Sequence, residues 1–134
     1  MTVDVVTTEI VRNLFLSAAD DMLATLVRSA FQPLIYENGD AAVALLDRNA
    51  DVLGQSSGLP LFLGSLDESV KEAVRLRGGT GWLRDGDVVF FNDPYIQGTH
   101  LNDVTMFAPL YLESELVGYV AARADWIGRL VDLQ

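Results

Sequence analysis

The sequence predicts an α+β fold in a single domain, with two helices packed on a mainly antiparallel sheet. Three observations support this prediction. Apolar residues recur at helical spacing over about residues 8–31, a second helix with start and stop signals follows residue 65, and β-like segments lie between and after the helices. A chain of 134 residues has the size of one domain, so the predicted domain is 1–134.

The first predicted helix runs from about Thr8 to Phe31. Its apolar positions form a wide stripe, and polar side chains fill the opposite face. Thr8 can cap the start of this helix, and Pro33 prevents its continuation. A helix of this length would extend roughly 35 Å at about 1.5 Å per residue, which is enough to cross the domain.

The second predicted helix begins at Ser65. The run from Ser65 to Glu68 has the pattern of a capping box, in which the serine hydroxyl and the glutamate carboxylate each accept a bond from a free backbone N–H. The helix should end near Arg77, because Gly78-Gly79 supplies a left-handed cap.

The strands are predicted from apolar segments bounded by turn signals. AAVALLD and VLGQ follow the Asn38-Gly39 turn and are separated by DRNAD, and DVVFFN follows Asp85-Gly86. The last two segments, VTMFAPLYL and LVGYVAARA, are joined by Glu113-Ser114-Glu115. Since consecutive strands with short connections pair antiparallel, these segments predict a mainly antiparallel sheet.

The formal net charge of −10, from 9 basic and 19 acidic residues, argues against nucleic acid and anionic membranes as partners. No apolar run approaches the length of a membrane span. The absence of cysteine excludes disulfides and thiolate metal sites and fits a cytoplasmic protein. Half of the residues are nonetheless hydrophobic, which predicts that another protein chain covers part of the apolar surface.

Two acidic residues should face each other near the end of the sheet. If the last two strands form a hairpin centred on Ser114, opposed residues have numbers that sum to 228, so that Asp103 faces Asp125 and Thr105 faces Arg123. Directly opposed Cβ atoms lie about 4.5–5.5 Å apart, where like charges repel. A shared proton, a nearby cation or a bound metal would relieve this repulsion. A slip of one residue would instead send one acid to the other face.

The single histidine of the chain, His100, precedes this end of the sheet in the segment FNDPYIQGTHLNDVTMF. One imidazole nitrogen with two carboxylates is a donor set that suits Mn²⁺, Fe²⁺ or Mg²⁺ better than structural Zn²⁺. The alternative is ordinary turn chemistry, in which Asn and Asp side chains bond their own backbone and the histidine is structural.

Other motifs give no further site. The Gly78-Gly79 pair lacks the flanking residues of a phosphate-binding loop, so no nucleotide site is predicted in this chain. Ser56 and Ser57 lie in GQSSG, which has one residue too many for a nucleophile elbow, and no second histidine exists to act as a base. No catalytic residue is therefore assigned.

Three segments, GQSSGLPLFLGSLDESV, RDGDVVFFNDPYIQGTHLNDVTMFAPLY and ELVGYVAARADW, resemble the N-terminal part of the hydantoinase B family. This family includes N-methylhydantoinase and 5-oxoprolinase components and the large subunits of acetone and acetophenone carboxylases. The resemblance extends over nearly the whole chain, and its core, NDPY-x-x-GTH-x-x-D, is long and specific.

The resemblance implies a metal site on residues that the hairpin register also selects. In the carboxylase branch, a His-x-x-Asp and a later histidine hold a divalent metal, which is manganese in the acetone enzyme. By position, His100 and Asp103 match the first two ligands, and the third falls on Asp125, where the family has histidine. Asp93 and Asn102 are expected to orient these ligands from outside the metal's own shell. A second carboxylate in place of the histidine shifts the preference toward harder ions.

The resemblance leaves two hypotheses about function. In the first, the chain is a component of an ATP-dependent system in which a separate, hydantoinase A-like subunit binds ATP, and the metal serves hydrolysis of a cyclic amide or carboxylation of a ketone. Because family members run to several hundred residues, the chain resembles a truncated N-terminal region and is expected to be inactive alone. In the second, it is a non-catalytic remnant or assembly module that binds a partner subunit, or itself, through exposed apolar surface.

Overall fold

The computed structural model of the chain describes residues 2–62, 64–96 and 101–126. The helices are α1 (Val5–Ser29), α2 (Pro33–Tyr36) and α3 (Leu66–Leu76), with a 3₁₀ turn at Pro60–Phe62. The strands are β1 (Ala41–Asp47), β2 (Val52–Ser57), β3 (Val89–Phe91), β4 (Asp103–Leu112) and β5 (Glu115–Asp125). All strand pairs are antiparallel, and the five strands form one sheet in the order β2-β1-β5-β4-β3. The predicted α+β class, with a long N-terminal helix, is confirmed.

Helix α1 begins three residues before the predicted start. Its N-cap is Asp4, whose Oδ1 accepts a hydrogen bond of 2.9 Å from the backbone N–H of Thr7. The predicted apolar stripe is turned toward the sheet only from Phe15 onward, while Ile10 and Leu14 are exposed. None of the helices in the described parts of the chain combines the length and apolar content that crossing a membrane requires.

Helix α3 begins next to Ser65 as predicted, but the capping box is wrong. The Ser65 hydroxyl makes no capping bond to the helix and is used elsewhere. At the other end, Gly78 and Gly79 adopt φ values of 78° and 109°. Their N–H groups donate to the carbonyls of Arg75 and Val74, both at 3.0 Å, which is the predicted glycine stop.

The core lies between α3 and one face of the sheet. Its buried side chains come from both helix and strands and include Leu66, Val70, Leu46, Phe107 and Tyr119. The ring of Phe107 meets that of Tyr119 edge to face, with centroids 5.9 Å apart. Helix α1 covers the other face, over β2 and β1. The sheet is therefore the middle of three layers.

The β4–β5 hairpin contains a bulge that the sequence does not indicate. Its turn is Glu113-Ser114, with Glu113 at φ 56°, and Leu112 pairs with Glu115 rather than with the predicted Leu116. The register then shifts between Leu110 and Tyr111, where Val117 is the extra residue on β5. From Leu110 back to Asp103, the numbers of paired residues sum to 228, so the bulge restores the predicted pairing at the far end of the hairpin.

Arg123 ties α3 to this hairpin. Its side chain is 3 % exposed, and its guanidinium donates to three hydroxyl oxygens: Thr105 Oγ1 at 2.8 Å, Ser65 Oγ at 2.8 Å and Ser69 Oγ at 2.6 Å. The hydroxyls of Ser65 and Ser69 in turn donate hydrogen bonds to the backbone carbonyls of Phe62 and Ser65, at 3.2 and 2.8 Å. The buried guanidinium is thus held by a connected network that also fixes the first turn of α3.

Helix α1 approaches β2 closely at Gly54. A Cβ atom at this glycine would lie 2.6 Å from the backbone carbonyl oxygen of Phe15, which is closer than real Cβ contacts allow. Near this contact, the Ser56 hydroxyl donates a hydrogen bond of 2.7 Å to Asp20 Oδ1 of α1. The absence of a side chain at position 54 therefore sets how near α1 lies to the sheet.

Gly54→Ala should lower the free energy of unfolding by about 1–3 kcal/mol. The added methyl group would clash with the backbone of Phe15, so α1 would have to move away from the sheet. Urea denaturation followed by circular dichroism measures this loss. Gly81→Ala is the matched control, since a Cβ there meets no atom within 4 Å. Equal stabilities of the two variants would contradict the close approach of α1.

Arg123→Met should lower the free energy of unfolding by about 3 kcal/mol, because three hydroxyl oxygens lose a charged donor in a buried site. The control is Arg48→Met, which removes an exposed ion pair with Glu115 (3.2 Å) and should change stability by less than about 1 kcal/mol. Both values come from the same urea titrations. An Arg123→Met protein as stable as the control would show that the network contributes little.

Candidate functional site

The acidic pair predicted from the hairpin lies where the sequence placed it. Asp103 is the first residue of β4 and Asp125 the last residue of β5, and the two are direct partners in the ladder. Asp103 is 4 % exposed, whereas Asp125 is half-buried. Because directly opposed residues point to the same side of a sheet, both carboxylates belong to the face that α3 covers.

A cation accompanies this pair. Arg123 precedes Asp125 by two residues, so its side chain lies on the same face, and Thr105, its ladder partner, is two residues from Asp103. Burial lowers the pKa of the Arg123 guanidinium, and the negative charge of Asp103 offsets part of this effect. A nearby cation, which is one of the three ways to relieve two opposed carboxylates, is therefore present in Arg123.

A third acidic residue, Asp40, lies beside Asp125 at the end of β1, the other neighbour of β5. Asp40 directly precedes β1, and its carbonyl oxygen accepts a hydrogen bond of 3.2 Å from the backbone N–H of Asp125. Ala41 pairs with Ala124, so the β1–β5 register continued by one residue sets Asp40 opposite Asp125. Three acidic residues thus form a row across the ends of β1, β5 and β4.

Two of the other predicted site residues, Asp93 and Asn102, lie within the part of the chain that the structure describes. Asp93 is exposed, and its Oδ1 accepts a bond of 2.9 Å from the N–H of Tyr95, which is the local turn chemistry of an Asx side chain. Asn102 is also exposed, and its backbone carbonyl oxygen accepts a hydrogen bond of 2.8 Å from the backbone N–H of Trp126. His100 lies outside the described residues. The orienting roles of Asp93 and Asn102, and the ligand role of His100, stay predictions.

The donor atoms at this end of the sheet fit a hard divalent cation. They are carboxylate oxygens, which are the ligands that such cations prefer. Within residues 2–62, 64–96 and 101–126, however, no group of three or more acidic, histidine or cysteine side chains is gathered closely enough to hold a metal ion. Asp103 and Asp125 alone would therefore be an incomplete ligand set.

Sequence reasoning missed Arg123 and Asp40 as parts of the site. Arg123 could have been suspected, because it is a lone basic residue in the otherwise uncharged strand LVGYVAARA. Asp40 could not, because its position depends on the pairing of β1 with β5, two strands that are far apart in the sequence. The Asn38-Gly39 turn signal next to Asp40 indicates only a local reversal of the chain.

Comparisons with known proteins agree on one family. The profile of the family described as "Hydantoinase B/oxoprolinase" matches residues 4–128. The caprolactamase subunit beta of Pseudomonas jessenii is 30% identical over 132 residues, which are 98% of this chain and 22% of that protein. The 5-oxoprolinase of Dictyostelium discoideum is 32% identical over 109 residues, which are 81% of this chain and 8% of that protein.

Two solved structures contain the same fold. The crystal structure of the ATP-dependent caprolactamase from Pseudomonas jessenii superposes with a TM-score of 0.81 at 28% identity, over 93% of this chain and 21% of that one. The nucleotide-free structure of acetone carboxylase superposes with a TM-score of 0.76 at 22% identity, over 89% of this chain and 16% of that one.

The matches cover most of this chain but only a small part of each relative. The chain spans about a fifth of the caprolactamase subunit and less than a tenth of the 5-oxoprolinase. The profile match covers more than nine tenths of its residues. The chain belongs to the hydantoinase B/oxoprolinase family.

Proposed function

We propose that this chain forms part of an ATP-dependent enzyme that hydrolyses a cyclic amide, and that it contributes a divalent-metal site. Relatives at 30% identity or more include enzymes named caprolactamase and 5-oxoprolinase, both of which take their names from cyclic amides. Acetone carboxylase shares the fold at only 22% identity, so the ketone reaction has less support.

The observation that carries the proposal is the direct opposition of Asp103 and Asp125 at one end of the β4–β5 ladder. A ladder pair of like charges is unfavourable unless something compensates it. Asp40 lies in the same row through the β1–β5 pairing. A divalent cation would join carboxylate oxygens placed in this way, which are the donor atoms that it prefers.

In this proposal, His100, Asp103 and Asp125 hold the metal, with Mn²⁺ or Mg²⁺ preferred by their donor atoms. A bound metal would polarise the carbonyl of the amide substrate as a Lewis acid. Asp103 is fixed by its position in the ladder, and Arg123 holds the strand next to it in place through Thr105. Asp93 and Asn102 would orient these ligands from outside the metal's own shell.

Nucleotide chemistry is assigned to a partner. The sequence has no phosphate-binding glycine pattern, whereas the structural relative from Pseudomonas jessenii is described as ATP-dependent. The caprolactamase protein that matches this chain is named subunit beta, a name that implies a second subunit. The proposed ATP-binding partner is therefore a hydantoinase A-like subunit, in a cytoplasmic hetero-oligomer.

A second candidate function is that of a non-catalytic assembly module. Large apolar side chains are exposed on α1 and on the sheet, among them Ile10, Leu14, Phe90 and Met106. Apolar surface of this extent is typical of a surface that another polypeptide covers. This function would require no metal.

The metal proposal predicts about one equivalent of Mn²⁺ per chain in protein purified from manganese-supplemented culture. Asp103→Asn should weaken Mn²⁺ binding at least tenfold, because it replaces a charged ligand by a neutral one. Asp125→His restores the residue that the family resemblance expects and should tighten the binding. Elemental analysis and isothermal titration calorimetry measure both effects.

Asp85→Asn is the matched control, because this carboxylate is exposed in a turn before β3 and should leave Mn²⁺ binding unchanged. Metal bound only by the Asp125→His protein would mean that the natural chain has lost the site. Metal bound by neither protein would overturn the proposal and leave the assembly module as the function.

A further inference from the structure

The two faces of the sheet are covered unequally. On the face toward α3, side chains of β4 and β5 such as Phe107, Tyr119 and Ala121 are fully buried. On the face toward α1, the buried side chains Ala41 and Val43 belong to β1, under the helix. Among the alternate residues of β3 and β4 on that face, Phe90 is 69 % exposed and Met106 is 41 % exposed, whereas Val104 and Ala108 are half-buried. Phe90 and Met106 are direct partners in the β3–β4 ladder.

One helix is too narrow to cover this face. Five strands at about 4.8 Å spacing make a sheet roughly 24 Å wide, whereas a helix with its side chains is about 10 Å across. Helix α1 lies over β2 and β1, at one edge of the sheet, and the short helix α2 contacts α1 and β5. The strip over β4, β3 and the rest of β5 is therefore about as wide as one further helix.

A groove marks the boundary between the covered and the open half. It has a volume of about 580 Å³ and runs along α1, with Val43 and Ala122 as its floor. Its wall is the side of α1, formed by Ala18, Asp21, Met22, Thr25, Leu26 and Ser29. Beyond Ala122 the floor continues to Met106, its ladder partner on β4, and then to Phe90. The groove and the open strip form one continuous apolar surface.

We propose that an amphipathic helix with basic flanks docks in this groove beside α1, and that it belongs to the part of a family subunit that lies outside the region matched by this chain. The docking surface consists of Ala122, Met106, Phe90 and the facing side of α1. The occupant lays its apolar stripe on the strands and completes the helical layer.

Two observations select this occupant. The chain matches only 22% of the caprolactamase subunit beta, so most of that subunit consists of polypeptide that has no counterpart in this structure. The chain carries a net charge of −10 and Asp21 lies in the groove wall, so a second copy would bring two strongly negative surfaces together. A helix with lysine or arginine beside its apolar stripe is complementary in charge as well as in shape.

The proposal deepens the assembly function and does not depend on the metal. Its test uses the whole chain as the binding protein and, as probe, overlapping 20-residue peptides that cover the unmatched four fifths of the Pseudomonas jessenii caprolactamase subunit beta. The expected result is retention of one peptide or a few neighbouring peptides with helical apolar spacing and a basic flank. Retention of no peptide would overturn the proposal.

Met106→Glu introduces a charge into the centre of the docking surface and should weaken the retained peptide at least tenfold, as measured by fluorescence anisotropy. Leu76→Glu is the matched control, because Leu76 is an exposed leucine of α3, on the opposite side of the sheet. It should leave peptide affinity unchanged. Equal binding by the Met106→Glu protein and the natural chain would overturn the assignment of the surface.

Light scattering after size-exclusion chromatography distinguishes the remaining occupant, a second copy of this chain. The natural chain should be a monomer at micromolar concentration. A dimer that Met106→Glu converts to monomer would give the groove to a second copy and overturn the proposed occupant. Because both substituted residues are exposed, circular dichroism spectra should match that of the natural chain and confirm that the variants fold.

Discussion

The register between β4 and β5 is the constraint on which the candidate site depends. Side chains alternate between the two faces of a strand. A register shift of one residue would therefore move the side chain of Asp125 to the face opposite to that of Asp103. The two-residue turn at Glu113-Ser114 by itself would produce such a shift relative to the observed pairing at the far end. Val117, the extra residue at the bulge, restores it. A feature near the hairpin turn thus determines what faces Asp103 about 25 Å away, at roughly 3.3 Å per residue.

Much of the fold follows from the sequence because its signals are local. Helical periodicity, the glycine pair after α3 and the Asn38-Gly39 turn each act within a few residues, and the structure contains all three features. Errors arose where a side chain had a distant partner. Ser65 fits a capping box, but its hydroxyl accepts a bond from Arg123, 58 positions further along the chain. Periodicity also could not show that residues 5–14 of α1 are exposed, since it does not indicate what lies opposite an apolar stripe.

The candidate site was predictable only within one hairpin. The pairing of Asp103 with Asp125 is predictable because the two strands are consecutive and joined by a short turn. The turn is one residue shorter than a hairpin centred on Ser114 requires, and the bulge at Val117 compensates for this difference. Asp40 enters the site through the non-sequential pairing of β1 with β5. The role of Arg123 required knowing that α3 lies over β5, because two of its three hydroxyl partners come from the start of that helix.

The open half of the sheet combines apolar side chains with a chain of high negative charge, and this combination makes ionic strength a variable for the isolated chain. Mutual repulsion between copies acts over a Debye length of about 30 Å at 0.01 M salt but only about 8 Å at 0.15 M. Hydrophobic contact between exposed side chains is short-ranged, so salt does not screen it, and salts such as sulfate strengthen it. Dilute buffer therefore favours separate molecules, and salting conditions favour their precipitation through the strip around Phe90 and Met106.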